Sequence, residues 1–161
     1  MANLNNIFNP LFLKDKELKT AFELLFFTIK DFDRNISSLL KKFGYNKTHF
    51  AVIFLASNNY YLTIKDLLVI LDIKKQSLAK IINKLKNDDI IFLKKSKKDK
   101  RNKNIYLTKK GMKIEKKLTE KQINNIANAY KNAGTESING FKKILINLVG
   151  KSSKVILRKK I

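Results

Sequence analysis

Two short amphipathic segments between residues 63 and 86 narrow the possible folds more than any other part of the chain. Thr63 and Asp66 predict a capping box, in which each side chain accepts a hydrogen bond from the other residue's backbone N–H. A tight connection at residues 72–74 leads into a second helix from about residue 75 to residue 86. The i, i+3, i+4, i+7 spacing of its apolar residues predicts one buried face, formed by Leu78, Ile81, Ile82 and Leu85. Two short helices joined by such a turn are typical of a helix-turn-helix.

The segment after these helices predicts a β-hairpin with a basic tip. Residues 90–93 and 105–107 are apolar and rich in β-branched and aromatic side chains, as expected of strands. Seven of the ten residues between them, 94–103, are basic. An ordinary solvated loop is the alternative interpretation, but a basic hairpin directly after a helix-turn-helix favours a DNA-binding wing. We therefore predict a mainly α fold with a small β-hairpin wing, that is, a winged helix-turn-helix.

Long amphipathic helices are predicted on both sides of this region. At the N-terminal side, apolar residues at alternating steps of four and three predict a helix of about seven turns that ends at Gly44. This stripe consists of Leu18, Phe22, Leu25, Ile29, Phe32, Ile36, Leu39 and Phe43. Thr108 is predicted to cap another long helix over about residues 109–132, and Gly134 to separate it from a last helix that ends at Gly150. The stripe could form only one wall of a monomer core. Its length and aromatic content favour the alternative, in which it also contacts a second chain.

The charge of the chain points to a polyanionic partner. The formal net charge is +22, with 35 basic residues against 13 acidic ones, and a field of this sign attracts nucleic acids. Part of the excess has a simpler origin, because all the basic residues except Arg34, Arg101 and Arg158 are lysine, as expected of AT-rich coding DNA. The concentration of basic residues at 94–103 is therefore more informative than the total.

The residue content argues against catalysis and metal binding. Cysteine is absent, which excludes disulfides, thiolate metal sites and thiol chemistry, and the only histidine is His49. A lone histidine cannot form a multi-histidine metal site within one chain. The sequence has no Gly-rich phosphate loop, and its acidic pairs, Asp31/Asp33 and Asp88/Asp89, occupy ordinary surface positions. We predict no enzymatic activity and no cofactor.

No apolar run approaches the roughly 18 residues that a membrane span needs. The longest run near the start, residues 24–27, follows no basic segment of the kind found in signal peptides. A cytoplasmic protein without membrane contact is therefore expected.

The stretch from Leu62 to Gly111 resembles the MarR family of winged-helix transcription regulators. The helix-turn-helix sequence LTIKDLLVILDIKKQSLAKIINKLKNDDII, the wing triplet at 99–101 that matches D-x-R, and the LTKKG sequence at 107–111 that matches L-T-x-x-G carry this resemblance. Segments such as FLKDKELKTAFELLFF and AYKNAGTESINGFKKIL extend it over about residues 11–149 and are similar to a PetP-like subgroup of alphaproteobacterial regulators. The family often has glycine before the wing strand, where this chain has Asp88 and Asp89.

The resemblance implies a homodimer in which the first and last helices of two chains pair, bound to a pseudo-palindromic DNA duplex. It also implies a possible small-molecule ligand, since many family members release DNA when a ligand binds between their lobes. On this basis we divide the single domain, residues 1–161, into three parts. These are dimerisation helices at 16–43 and 112–149, a winged helix-turn-helix DNA-binding lobe at 48–107, and a basic tail at 151–161.

General chemistry assigns roles to the candidate DNA-binding residues. The first residues of a helix in the major groove reach base edges. There Gln76 can form two hydrogen bonds with one adenine, and Lys80 can reach guanine or phosphate. Ser77 can contact a base or a phosphate. A basic wing tip is expected to place Arg101 in the neighbouring minor groove, with Asp99 pairing to Arg101 and fixing its direction. The full predicted set is Lys74, Lys75, Gln76, Ser77, Lys80, Lys84, Lys97, Lys98, Asp99, Lys100, Arg101 and Lys103.

Two alternatives stay open from the sequence. His49 could sense pH or line a ligand pocket, although a lone histidine near a helix start is more often structural. The large charge is also compatible with a nonspecific or architectural nucleic-acid-binding protein, and affinities for random and cognate DNA at fixed salt would separate the two functions. The sequence does not identify the operator, the regulated genes, the sign of regulation or an inducer.

Overall fold

The computed structural model describes residues 13–58, 61–95 and 102–157. Within these ranges the chain forms six helices and one antiparallel two-stranded hairpin. In chain order the elements are α1 (Asp15–Lys42), α2 (Lys47–Asn58), α3 (Ile64–Leu71), α4 (Lys75–Asn87), β1 (Ile91–Lys95), β2 (Lys103–Leu107), α5 (Lys109–Leu148) and α6 (Lys151–Leu157). The predicted fold class, mainly α with a small hairpin wing, is confirmed. Across the described ranges, no helix combines the length and the apolar character needed to cross a membrane.

Gly44 follows the end of α1, as predicted. Its φ of +68° lies in the left-handed region, which glycine adopts without the steric cost of a Cβ. The backbone N–H of Tyr45 donates to the carbonyl O of Leu40 at 2.9 Å, and that of Gly44 donates to the O of Lys41 at 3.1 Å. These two bonds form a Schellman motif and satisfy carbonyl groups that the helix end would otherwise leave unpaired. The chain therefore leaves α1 in a fixed direction, and we call residues 43–46 the α1–α2 corner.

The helix-turn-helix forms where the sequence predicts it. The capping box of α3 is present, because Thr63 Oγ1 accepts from the Asp66 backbone N–H at 3.1 Å and Asp66 Oδ2 accepts from the Thr63 N–H at 3.0 Å. Asp72, at φ +48°, ends α3 and starts the turn into α4. Of the predicted inward face of α4, Leu78, Ile82 and Leu85 are buried and Ile81 is half-buried. The core that they join also contains Leu40, Val52, Ile53, Leu67, Ile90, Ile105 and Leu118.

The hairpin is longer than the sequence predicts. Pairing runs from Ile91 opposite Leu107 to Lys95 opposite Lys103, so the interpretation of residues 94–103 as one loop is wrong at both ends. Backbone pairing continues past the apolar residues because lysine side chains on an exposed hairpin can extend into solvent. The N–H of Ile105 also donates to the O of Leu62 at 2.8 Å, which attaches the hairpin to the chain that enters α3.

The C-terminal part of the chain contains one predicted break and one unpredicted helix. Gly134 interrupts α5 with a non-helical backbone (φ 77°, ψ 163°), which confirms the predicted separation of two long helical segments. Residues 151–157, predicted only as part of a basic tail, form α6, which packs against α3.

The apolar stripe of α1 is divided between the core and the surface. Near the C-terminal end of α1, Ile36 and Leu40 are buried, whereas Phe22 is 73% exposed and Ile29 is 62% exposed. Apolar side chains of the second half of α5 are exposed as well, namely Phe141, Ile144, Ile146 and Leu148. The monomer core therefore accounts for only part of the amphipathic pattern of the long helices.

Candidate nucleic-acid interface

The face of α4 opposite the core carries the predicted recognition residues. All of those predicted on this helix are exposed, namely Lys75, Gln76, Ser77, Lys80 and Lys84, and so is Lys74 at its N-cap. The N-cap residue Lys74 makes no side-chain capping bond in the described structure, so the backbone N–H groups of the first turn of α4 add positive potential to this end of the helix. The polar face and the helix N-terminus together present hydrogen-bond donors to an anionic partner.

Lys84 differs from the other lysines of α4 because it already has a partner. Its Nζ lies 3.1 Å from Oδ2 of Asp88 and 5.5 Å from the centre of the Tyr45 ring. Hydrogen bonds from Lys84 and then from Tyr45 are the main reasons why the pKa of Asp88 lies below its ordinary value. The Asp88 carboxylate therefore holds the Lys84 ammonium at the C-terminal end of α4, about one helical turn from Lys80 and two turns from Gln76.

The hairpin brings basic residues together at its open end. Lys95 and Lys103 are exposed and lie directly opposite each other, an arrangement that is unfavourable for two like charges without an anion nearby. A shallow groove of about 590 Å³ beside them is also lined by Lys86 from α4. The sequence pattern predicts Lys103 as a site residue but does not identify Lys86 or Lys95. A predicted first strand that extended to residue 95 would have indicated Lys95. The other predicted wing residues, Lys97, Lys98, Asp99, Lys100 and Arg101, lie outside the described residues.

The L-T-x-x-G sequence fastens the base of the hairpin to α5. Thr108 Oγ1 accepts from the Gly111 backbone N–H at 2.9 Å and donates to the carbonyl O of Asp89 at 2.7 Å. A Cβ on Gly111 would lie only 2.1 Å from the carbonyl O of Ile90. The threonine thus caps the helix, and the glycine lets α5 pack directly on the backbone that enters β1. These contacts fix the wing relative to α4 and α5.

His49 is buried at the start of α2. Its Nδ1 lies 2.7 Å from Oδ1 of Asn46, and its ring stacks on Tyr45 with the ring centres 5.2 Å apart. Burial, followed by the nearby charge of Lys84, holds the pKa of His49 below its ordinary value. The stacking and the hydrogen bond give this residue a structural role, while its buried Nε2 has no hydrogen-bond partner within residues 13–58, 61–95 and 102–157.

The order of elements and the exposed basic surface define a winged helix-turn-helix protein. A family model described as the MarR family matches residues 43–102. The chain is 30% identical over 135 residues to the HTH-type transcriptional regulator PetP of Rhodobacter capsulatus, an alignment that covers 84% of this chain and 81% of that protein. The chain belongs to the MarR family of transcription regulators.

Solved structures agree with this fold. The structure of NadR in complex with 4-hydroxyphenylacetate has a TM-score of 0.65 and 21% identity, covering 77% of this chain and 88% of that one. A mutant MarR from E. coli complexed with operator DNA has a TM-score of 0.55 and 17% identity, covering 88% of this chain and all of the other (100%). The relatives that the chain matches are transcription regulators rather than enzymes.

Proposed function

We propose that the protein is a homodimeric, sequence-specific regulator that binds a pseudo-palindromic DNA duplex. The observation that carries this proposal is α4, which buries one face and exposes a row of polar and basic side chains on the other. A helix of this kind fits the major groove with its N-terminal residues towards base edges. Two-fold symmetry of the dimer would place the half-sites about one helical turn, roughly 10 base pairs, apart.

Dimerisation is supported by the apolar surface of the long helices. Six large apolar side chains of α1 are at least half exposed, namely Leu18, Phe22, Leu24, Phe26, Phe27 and Ile29. Leu18, Phe22, Phe26 and Ile29 share one face of α1 by helical periodicity, and exposed apolar surface of this kind often marks an interface with another chain. We propose that residues 16–43 and 112–149 of two chains pack together and cover it.

We assign base contacts on α4 to Gln76 and Lys80. Ser77 lies beside them, and the lysines of the first turn are assigned to phosphate contacts. Gln76→Ala and Lys80→Ala are each expected to cost about 1–3 kcal/mol on cognate DNA and much less on a scrambled duplex. Lys30→Ala is the matched control for Lys80→Ala, because it removes one exposed lysine from the middle of α1. DNA selection followed by sequencing would supply the cognate site, and titrations at one fixed salt concentration would give the affinities.

These titrations also separate the proposal from its alternative. A nonspecific or architectural binder would show equal affinity for selected and random duplexes, and Lys80→Ala would then reduce both affinities alike. Specific proteins typically prefer their sites by about 10³-fold or more. Equal binding of the selected and random duplexes by the unaltered protein would contradict the proposed function.

The wing is proposed to enter the minor groove through Arg101, with Lys97, Lys98, Lys100 and Lys103 near phosphates. The sequence supports a role for Asp99 in directing Arg101, and the sign of one substitution tests it. Asp99→Ala is expected to weaken cognate binding, although it removes a negative charge beside DNA, because a mobile Arg101 must then be ordered on binding. Tighter binding by Asp99→Ala would instead indicate a purely Coulombic wing. Lys98→Ala, expected to weaken all sequences alike, is the control.

We further propose that a small ligand regulates DNA binding. NadR, which shares the fold, was solved in complex with 4-hydroxyphenylacetate. Among the residues that the structure describes, the buried Nε2 of His49 and the buried Oε1 of Gln122 have no hydrogen-bond partner, so each is a candidate to bind a polar ligand group. A compound from a series of small carboxylic acids is expected to raise the melting temperature and lower DNA affinity, with both effects reduced in Gln122→Leu. A series that changes neither property would contradict this part of the proposal.

A further inference from the structure

The C-terminal end of the recognition helix is tied to the α1–α2 corner by one hydrogen bond between distant parts of the chain. Tyr45 Oη donates to Oδ2 of Asp88 at 2.9 Å, across 43 residues of sequence. Lys84 Nζ donates to the same oxygen at 3.1 Å and lies over the Tyr45 ring. We call Tyr45, Lys84 and Asp88 the clasp.

Both partners of the central bond are held in the protonation state that the bond requires. Tyr45 is buried, and its burial, followed by the hydrogen bond to Asp88, raises the pKa of the hydroxyl well above its ordinary value. The lowered pKa of Asp88 keeps its carboxylate charged. A hydrogen bond from a neutral donor to a charged carboxylate is stronger than one between two neutral groups.

The same end of α4 is also held from the side of α5. Lys110 Nζ donates to the backbone O of Asp88 at 2.7 Å, and Thr108 Oγ1 donates to the O of Asp89 at 2.7 Å. Tyr45 follows α1, while Thr108 and Lys110 begin α5. The end of the recognition helix is thus connected to both of the long helices that we propose to form the dimer.

The geometry of a helix shows why this end matters for DNA binding. The 13 residues of α4 span about 20 Å at 1.5 Å per residue. A rotation of about 10° around the clasp would move the N-terminal end by about 3.4 Å, which is roughly the rise of one base pair. Gln76 and Ser77 lie at that far end, so a small change at the clasp would shift them by one step along the groove.

We infer that Tyr45 and Asp88 are positioning residues that set the angle of α4 to the dimer helices and thereby the half-site spacing that the protein accepts. Lys84 serves this clasp rather than a DNA phosphate. The inference rests on the proposed function, since only a dimer that reads two half-sites has a preferred spacing.

The test measures binding to the selected operator and to versions with one base pair removed from, or added to, its centre. Tyr45→Phe removes only the hydroxyl and keeps the ring that stacks on His49. It is expected to weaken binding at the native spacing about tenfold and to bring the three affinities to within about threefold of each other. Asp88→Ala should act in the same way, whereas Asp88→Asn, which keeps an acceptor for Tyr45, should retain part of the spacing preference.

Tyr61→Phe removes the same atom from an exposed tyrosine before α3, outside the proposed dimer helices and the residues proposed to contact DNA. It is the matched control, expected to keep the full spacing preference. An equal loss of affinity at all three spacings in Tyr45→Phe and Asp88→Ala would overturn the inference, because it would indicate general loosening of the lobe. Full preference in both variants would overturn it as well. If the unaltered protein prefers no spacing, that result contradicts the proposed function itself, whereas a change seen only in the variants bears on the clasp. Melting temperatures identify variants that lose the fold. If Tyr45→Phe and Asp88→Ala both do so, the spacing preference of Asp88→Asn alone tests the inference.

Discussion

Replacing Gly111 by alanine is expected to lower the free energy of unfolding by about 1–3 kcal/mol, because the added methyl group has no room. The new Cβ would lie 2.1 Å from the carbonyl O of Ile90 and 3.1 Å from its carbonyl carbon. Both are backbone atoms, so no side-chain rotation relieves the overlap. The Ile90 carbonyl also accepts the backbone N–H of Thr108 at 3.0 Å, and a shift of either chain would weaken that bond.

The measurement is chemical denaturation at one fixed protein concentration, since the stability of a dimer depends on concentration. Gly140→Ala is the matched control. It adds the same methyl group to α5, where no atom of the described part of the chain lies within 4 Å of it, and alanine favours a helix over glycine by up to about 1 kcal/mol. Unchanged stability of Gly111→Ala would show that α5 can move away from β1 at little cost. Close packing of α5 on Ile90 would then not explain why residue 111 is glycine.

This position also shows what the sequence could predict and what it could not. The local pattern predicts Thr108 as the cap of a helix that starts at about residue 109, and this cap is confirmed. The reason for the glycine is a contact with the backbone of Ile90, which lies 21 residues earlier and is invisible to any local pattern. Signals between near neighbours, such as the Thr63–Asp66 capping box and the Gly44 helix end, are specified by local chemistry and were predictable.

In the candidate site, too, features set by neighbouring residues could be predicted from the sequence, and contacts between distant residues could not. Helical periodicity was enough to separate the buried Leu78 and Leu85 from the exposed Gln76 and Lys80, because it depends only on neighbours in sequence. The clasp was not predictable, since Tyr45 and Asp88 meet only after the helices between them have folded. Asp88 looked like an ordinary surface acid in the sequence. The extension of β1 to Lys95 was missed because strand pairing is decided by the partner strand rather than by the residue's own type.

Replacing Phe22 by glutamate is expected to dissociate the proposed dimer and to reduce operator affinity by about 10²–10⁴-fold. Phe22 is 73% exposed in one subunit and lies on the apolar face of α1. If a second chain covers it, the substitution buries a carboxylate at two symmetry-related places, which costs several kcal/mol unless each charge finds a partner. The operator affinity falls because two linked recognition helices bind with a high effective concentration, and separated subunits lose that advantage.

Electrostatics makes this interface easy to disrupt. Each chain carries a formal charge of +22, so two copies would repel each other and the proposed association would depend on apolar burial. A glutamate lowers this net charge, and general Coulomb repulsion alone would therefore predict a tighter dimer. Dissociation of Phe22→Glu would thus attribute the association to apolar contacts at this position.

Light scattering at micromolar concentration and moderate salt measures the oligomeric state directly. Phe92→Glu is the control for this readout, because Phe92 is an exposed aromatic residue on β1, outside the helices assigned to the dimer. Phe22→Leu keeps the surface apolar and is expected to remain dimeric. A Phe22→Glu protein that scatters as a dimer would show that the exposed face of α1 is not covered by a second copy. The long apolar stripe would then require a different partner.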